Sequence, residues 1–129
     1  KDSMFNPPPV FAIYTSMLTL RWLKENGGVN AARERNAAKA ACIYGEIDRN
    51  PLFNGFAQVD SRSVMNATFT PADEAHTAPF LAACEAAGIN GLKGHRSIGG
   101  FRASMYNALP LSSVETLVEV MRDFERTHG

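Results

Sequence analysis

The residues best suited to chemistry gather in one stretch, Gly91 to Pro110, which reads Gly-Leu-Lys-Gly-His-Arg-Ser-Ile-Gly-Gly-Phe-Arg-Ala-Ser-Met-Tyr-Asn-Ala-Leu-Pro. His95 and Arg96 lie in a glycine-flanked turn, and a second arginine, Arg102, follows six residues on. Two adjacent cationic side chains in a tight turn can aim at one oxyanion. Arginine matches a carboxylate or phosphate with two parallel hydrogen bonds, a geometry that lysine lacks. One reading of the stretch is therefore an anion site. The plainer reading is a solvated turn followed by a surface salt bridge, and residue spacing alone leaves both open.

The elements that must position these side chains follow from periodicity. From Gly100 the residues alternate: Phe101, Ala103 and Met105 on one side, Arg102, Ser104 and Tyr106 on the other. That period predicts a half-buried strand over 100–106 with Arg102 on its polar face. Gly99-Gly100 marks a tight turn before it. Ile89 to Lys93 reads as a second strand, and Ser63 to Thr70 as another, with Met65, Ala67 and Phe69 inward. Residues 51–61 read as loop.

Four helices complete the pattern. The first is capped by Asn6, holds Pro8 and Pro9 in its first turn, runs to about Asn26 and stops at Gly27-Gly28. Val10, Ile13, Tyr14, Met17 and Leu18 form one stripe, and Leu20, Trp22 and Leu23 lie off it. A helix apolar nearly all round is buried or sits in an interface. The second helix opens at Asn30 and runs to about Arg49, with Ala40, Tyr44 and Ile47 inward. Arg33, Glu34, Arg35 and Lys39 read as its solvated face. The third covers about Asp73 to Ala87, and Pro79 moves its true start towards His76, itself read as a surface residue. The last opens with a capping box, Ser112-Ser-Val-Glu115, and carries the stripe Val114, Leu117, Val118, Met121 and Phe124. Strands and helices mix without regular alternation. The fold class is α+β, with a small, mostly antiparallel sheet of about three strands packed with helices.

Composition excludes several classes. The 13 basic and 13 acidic side chains cancel, so the excess charge of a nucleic-acid binder is missing. Val10 to Leu23 is interrupted by Thr15, Ser16, Thr19 and Arg21, and is shorter than the roughly 20 apolar residues that span a bilayer. No signal peptide is visible. Cys42 and Cys84 lack metal-ligand spacing and read as two free, buried thiols in a cytoplasmic protein. No metal site is expected. The chain begins Lys-Asp-Ser without an initiator methionine and reads as a piece of something longer.

The stretch from Lys93 to Pro110 closely resembles the C-terminal signature of the phosphoserine aminotransferases, class-V enzymes of fold type I. So do Ser3-Met-Phe-Asn-Pro-Pro-Pro near the start and the ending Phe-Glu-Arg-Thr-His-Gly. The resemblance runs through essentially the whole chain and covers only the last third or so of the family's length. It implies a C-terminal small domain over 30–129, preceded by a linker and interface helix over 1–29. It implies pyridoxal phosphate as cofactor, and amino transfer between glutamate (or 2-oxoglutarate) and 3-phosphohydroxypyruvate (or phosphoserine) in a cytoplasmic homodimer.

The resemblance also assigns residues. Arg102 matches the arginine that clamps the substrate α-carboxylate, and His95 with Arg96 the pair that grips the substrate phosphate. Asn6 and Pro7 match an Asn-Thr pair that reaches the cofactor phosphate of the other subunit. Proline has neither the threonine's hydroxyl nor its N–H, so two donors are gone, each worth roughly 1.5–3 kcal/mol when charge-assisted. Lys1, Lys24, Lys39 and Lys93 sit in no Schiff-base motif, so no catalytic residue is assigned here, and the segment alone is expected to be inactive. Two other functions fit the pattern: a free-standing anion-binding or regulatory α+β module, and a dimerisation fragment working through its first helix.

Overall fold

The computed structural model describes residues 5–96 and 98–129. Lys1, Ser3 and Met4 of the opening and Ser97 of the His95–Arg102 stretch lie outside them. Two compact units form, Lys1–Glu34 and Arg35–Gly129.

In the first unit, α1 spans Val10–Glu25. It is entered from Pro9 with no side-chain cap, so Asn6 does not cap it. Pro8 and Pro9 stand before the helix instead of in its first turn, and the carbonyl of Pro8 takes the N–H of Val10 at 2.8 Å. The helix stops where Gly27, at φ 87°, turns left-handed. No residue of α1 is buried. Phe11 is 80 % and Leu20 64 % exposed. Helix α2, Gly28–Arg49, begins at this first unit's end and continues into the second.

The second unit holds a three-stranded antiparallel sheet of order β1-β2-β3: Phe53–Gly55, Asn66–Pro71 and Phe101–Ser104. The register sets Phe69 against Phe101 and Thr68 against Arg102. α3 is Thr77–Ala86 and α4 Leu111–His128. Ala67, Phe69, Phe101 and Ala103 face inward and share one core with Ile43 and Ile47 of α2, Phe80 and Cys84 of α3, and the predicted stripe of α4. Its centre is aromatic. The ring of Phe80 lies 4.8 Å from Phe53, 5.0 Å from Phe101 and 5.3 Å from Phe124. Among the described residues no helix is long and apolar enough to cross a membrane.

Several expectations need correction. β1 falls in the span read as loop, and pairs Asn54 with Thr70. β2 starts at Asn66 because the Ser63 hydroxyl first accepts the N–H groups of Met65 and Asn66. The strand expected over Ile89 to Lys93 shrinks to one bridge, Lys93 to Phe101, because Gly91 turns left-handed at φ 76°. α4 begins one residue after Pro110 with no side-chain cap, so the expected capping box does not form. Asp73 caps a short 3-10 turn, Glu74–His76, and α3 proper starts at Thr77 with Pro79 in its first turn.

Three polar residues are also re-sited. Lys39 is 1 % exposed, not solvated. Its ammonium donates to the carbonyls of Met105 at 3.0 Å, Tyr106 at 2.7 Å and Leu109 at 3.1 Å. β3 ends at Ser104, short of the expected end at Tyr106; the N–H of Met105 still reaches the carbonyl of Met65 at 2.7 Å, and the carbonyls of Met105 and Tyr106 turn to the ammonium. His76 is half-buried, edge-on to Phe124 at 5.6 Å. Cys42 is only half-buried; Cys84 is buried, which pushes its thiol up to about 11. Both are free.

Candidate functional site

The site is built on β3 and the hairpin before it. Phe101 and Ala103 are buried, so their packing fixes the sheet face on which Arg102 emerges. The hairpin closes through Gly94 N–H on the carbonyl of Gly100 at 2.8 Å, and the carbonyl of His95 takes the N–H groups of Ile98 at 3.0 Å and Gly99 at 2.8 Å. Two glycines are required here by contact. A Cβ on Gly94 would stand 2.0 Å from the carbonyl oxygen of Gly99. Gly100, at φ 60°, lies against β2, where a Cβ would stand 2.6 Å from the carbonyl oxygen of Phe69.

This folding leaves a cleft of about 250 Å³ between the hairpin and the outward face of the sheet. Arg102, His95, Thr68, Thr70 and Phe56 line it, with the hairpin glycines, and among the described residues no carboxylate does. Among the described residues neither Arg102 nor Arg96 is in an ion pair, so the salt bridge of the plainer reading does not form. An arginine without a carboxylate partner among the described residues, in one cleft with a histidine, is suited to a small oxyanion.

The structure thus brings Arg102 and His95 to one cleft. Arg96 is exposed in the turn and does not line it. Asn6 and Pro7 belong to the first unit and are exposed. Phe56 and Thr68 were not singled out by sequence. The outward alternation of Thr68 was visible; its pairing with Arg102 was not. No group of three or more His, Cys, Asp or Glu among the described residues comes together to hold a metal ion.

Both the sequence and the fold of the chain match known proteins. Residues 1–117 match the class-V aminotransferase family model, and the chain belongs to that family. Among curated relatives, the phosphoserine aminotransferase of Flavobacterium johnsoniae is 56 % identical over 124 residues, covering 96 % of this chain and 35 % of the relative. That of Parabacteroides distasonis is 52 % identical, covering 99 % of this chain and 37 % of the relative. Among solved structures, the phosphoserine aminotransferase from Bacillus circulans subsp. alkalophilus matches with a TM-score of 0.93 at 46 % identity, over 99 % of this chain and 36 % of that one. The pyridoxal-phosphate-bound enzyme from Trichomonas vaginalis matches at 0.86 and 39 % identity, over 94 % of this chain and 35 % of that one. The chain spans little more than a third of these proteins' length. Its α+β fold is that of the matching portion of fold type I aminotransferases.

The residues described here do not themselves make a pyridoxal-phosphate site. A Schiff base needs a lysine amine that can become neutral and reach the ligand. Lys39 is instead committed to three carbonyls, and Lys24 and Lys93 are exposed on α1 and at the hairpin base. At the N-terminal strap Asn6 keeps a side-chain donor, and Pro7 has none.

Proposed function

We propose that the chain is the C-terminal small-domain portion of a phosphoserine aminotransferase. The whole enzyme passes an amino group between glutamate and 3-phosphohydroxypyruvate, with pyridoxal phosphate as the electron sink. The observation that carries this reading is that Arg102 and His95 line one cleft on the outward face of the sheet. The names of the relatives support the substrate pair. In this reading residues 30–129 form the small domain, and residues 1–29 form a linker and interface helix in a cytoplasmic homodimer. The exposure of Phe11 and Leu20 supports an interface role for that helix. Asn6 serves the cofactor phosphate of the partner subunit, and Pro7 contributes no donor there.

The chain's own part in the reaction is to hold and orient the substrate. Arg102 grips the α-carboxylate through two parallel N–H donors, which sets the direction of the Cα–H and C–N bonds. His95 and Arg96 grip the phosphate. A dianion accepts from many directions, so its partners need less exact geometry.

Half-reaction kinetics in the full-length enzyme test this. Arg102→Lys is expected to lose about ten- to a hundredfold in kcat/KM with both glutamate and phosphoserine, since both carry the α-carboxylate. Arg96→Lys should lose mainly with phosphoserine. Equal damage to glutamate turnover from the two variants would mean that the two arginines are wrongly assigned.

A further inference from the structure

The outward face of β2 carries a hydroxyl that has no assigned role. Thr68 sits opposite Arg102 in the register. The N–H of Arg102 turns away from β2, to the carbonyl of Leu92 at 2.7 Å, and the carbonyl of Thr68 turns away from β3, to the N–H of Phe56 at 3.1 Å. The pair is therefore a non-hydrogen-bonded one. In such a pair the Cα atoms approach to about 4.5 Å and the side chains lie closer than in a bonded pair.

A threonine on a solvated strand face needs no function, because it suits a strand there. Thr68 differs from that case in two ways. It is half-buried, and it lines the same cleft as Arg102 and His95. Its hydroxyl has no hydrogen-bond partner among the described residues. Its neighbour Thr70 is placed otherwise, with its methyl group against Gly100.

Carboxylate chemistry supplies the missing partner. An ionised carboxylate has about four lone-pair sites, and a bidentate arginine fills two of them, one on each oxygen. A hydroxyl beside the arginine stem can fill a third. We propose that Thr68 is a substrate-binding residue whose hydroxyl donates to the carboxylate held by Arg102. The inference rests on the reading of Arg102 as the carboxylate clamp, and it adds a second residue to that clamp.

The test is made in the full-length enzyme with three variants. Thr68→Val removes the hydroxyl and keeps the β-branch and the volume, so the strand is preserved. KM for glutamate and for phosphoserine should both rise about tenfold, with kcat and the thermal midpoint little changed. Thr68→Ser, which restores the hydroxyl, should bring both KM values most of the way back. Arg102→Lys is measured alongside. If it raises both KM values and Thr68→Val raises neither, the Thr68 inference falls and the clamp stands. If Arg102→Lys leaves both KM values unchanged, the clamp falls and Thr68 with it. A Thr68→Val loss confined to kcat or stability, or one that serine does not rescue, would show a merely structural threonine and overturn the inference.

Discussion

Replacing Lys39 by methionine should destabilise the domain by about 2 kcal/mol, a figure that follows from which of its bonds water can replace. The ammonium holds the carbonyls of Met105, Tyr106 and Leu109. Tyr106 is exposed, so water can take over that carbonyl. Met105 is buried and Leu109 half-buried, and each carbonyl left without a donor there costs about 1–3 kcal/mol. Methionine fills a similar length and no longer requires a dehydrated charge, a relief that offsets part of the loss. With a urea m-value of about 2 kcal/mol/M, the unfolding midpoint should drop by about 1 M. Acidity supplies a second readout. Burial, and next the like charge of Arg35, hold the ammonium below its ordinary 10.5, so the native chain sheds this proton before the unfolded chain does. Wild-type stability should therefore rise as pH climbs through that lowered value towards 10.5, a slope the methionine variant lacks. A methionine variant as stable as the wild type would refute the reasoning, since it would mean that the three bonds do not outweigh the dehydration of the charge.

Glu46 should show the opposite pH dependence. Burial pushes its pKa up, but hydrogen bonds from Arg49, Asn50 and Arg122 outweigh that and leave it below the ordinary 4.5. Its contribution is then complete above 4.5 and lost as pH falls through the lowered value, so thermal midpoints of wild type and Glu46→Gln should differ at neutral pH and converge in acid. A gap that stays constant into acid would refute this. Gly94→Ala should open the hairpin, because its Cβ would stand 2.0 Å from the Gly99 carbonyl oxygen. The expected cost is about 2 kcal/mol or more. Faster amide exchange at Gly99 and Arg102 is the readout, and unchanged exchange there would show that the hairpin tolerates the methyl group.

Much of the site's direction was legible in the residues of β3 themselves. Phe101 and Ala103 alternate with Arg102, and burying the first two leaves the arginine only the outward face. The glycines before it announced a tight turn. Local patterns failed where a residue's type and its spacing disagreed. On α2 the buried positions are Ala32, Asn36, Lys39, Ala40, Ile43, Tyr44, Glu46 and Ile47, which follow one another at steps of three and four along one face. By spacing Lys39 belongs to the core; by charge it was read as solvated. A lysine at a core position needs buried acceptors, and the chain after β3 supplies three carbonyls. β1 was missed because only Phe53 of its three residues is buried, too little for a period to show. The pairing of Thr68 with Arg102 was beyond any local reading, since the two are far apart in the chain and only the register joins them. That register depends on Gly100, whose place against Phe69 admits no side chain. The glycine that reads in sequence as a turn marker thus also seats the hairpin on β2, and by doing so brings His95, Thr68 and Arg102 to the walls of one cleft.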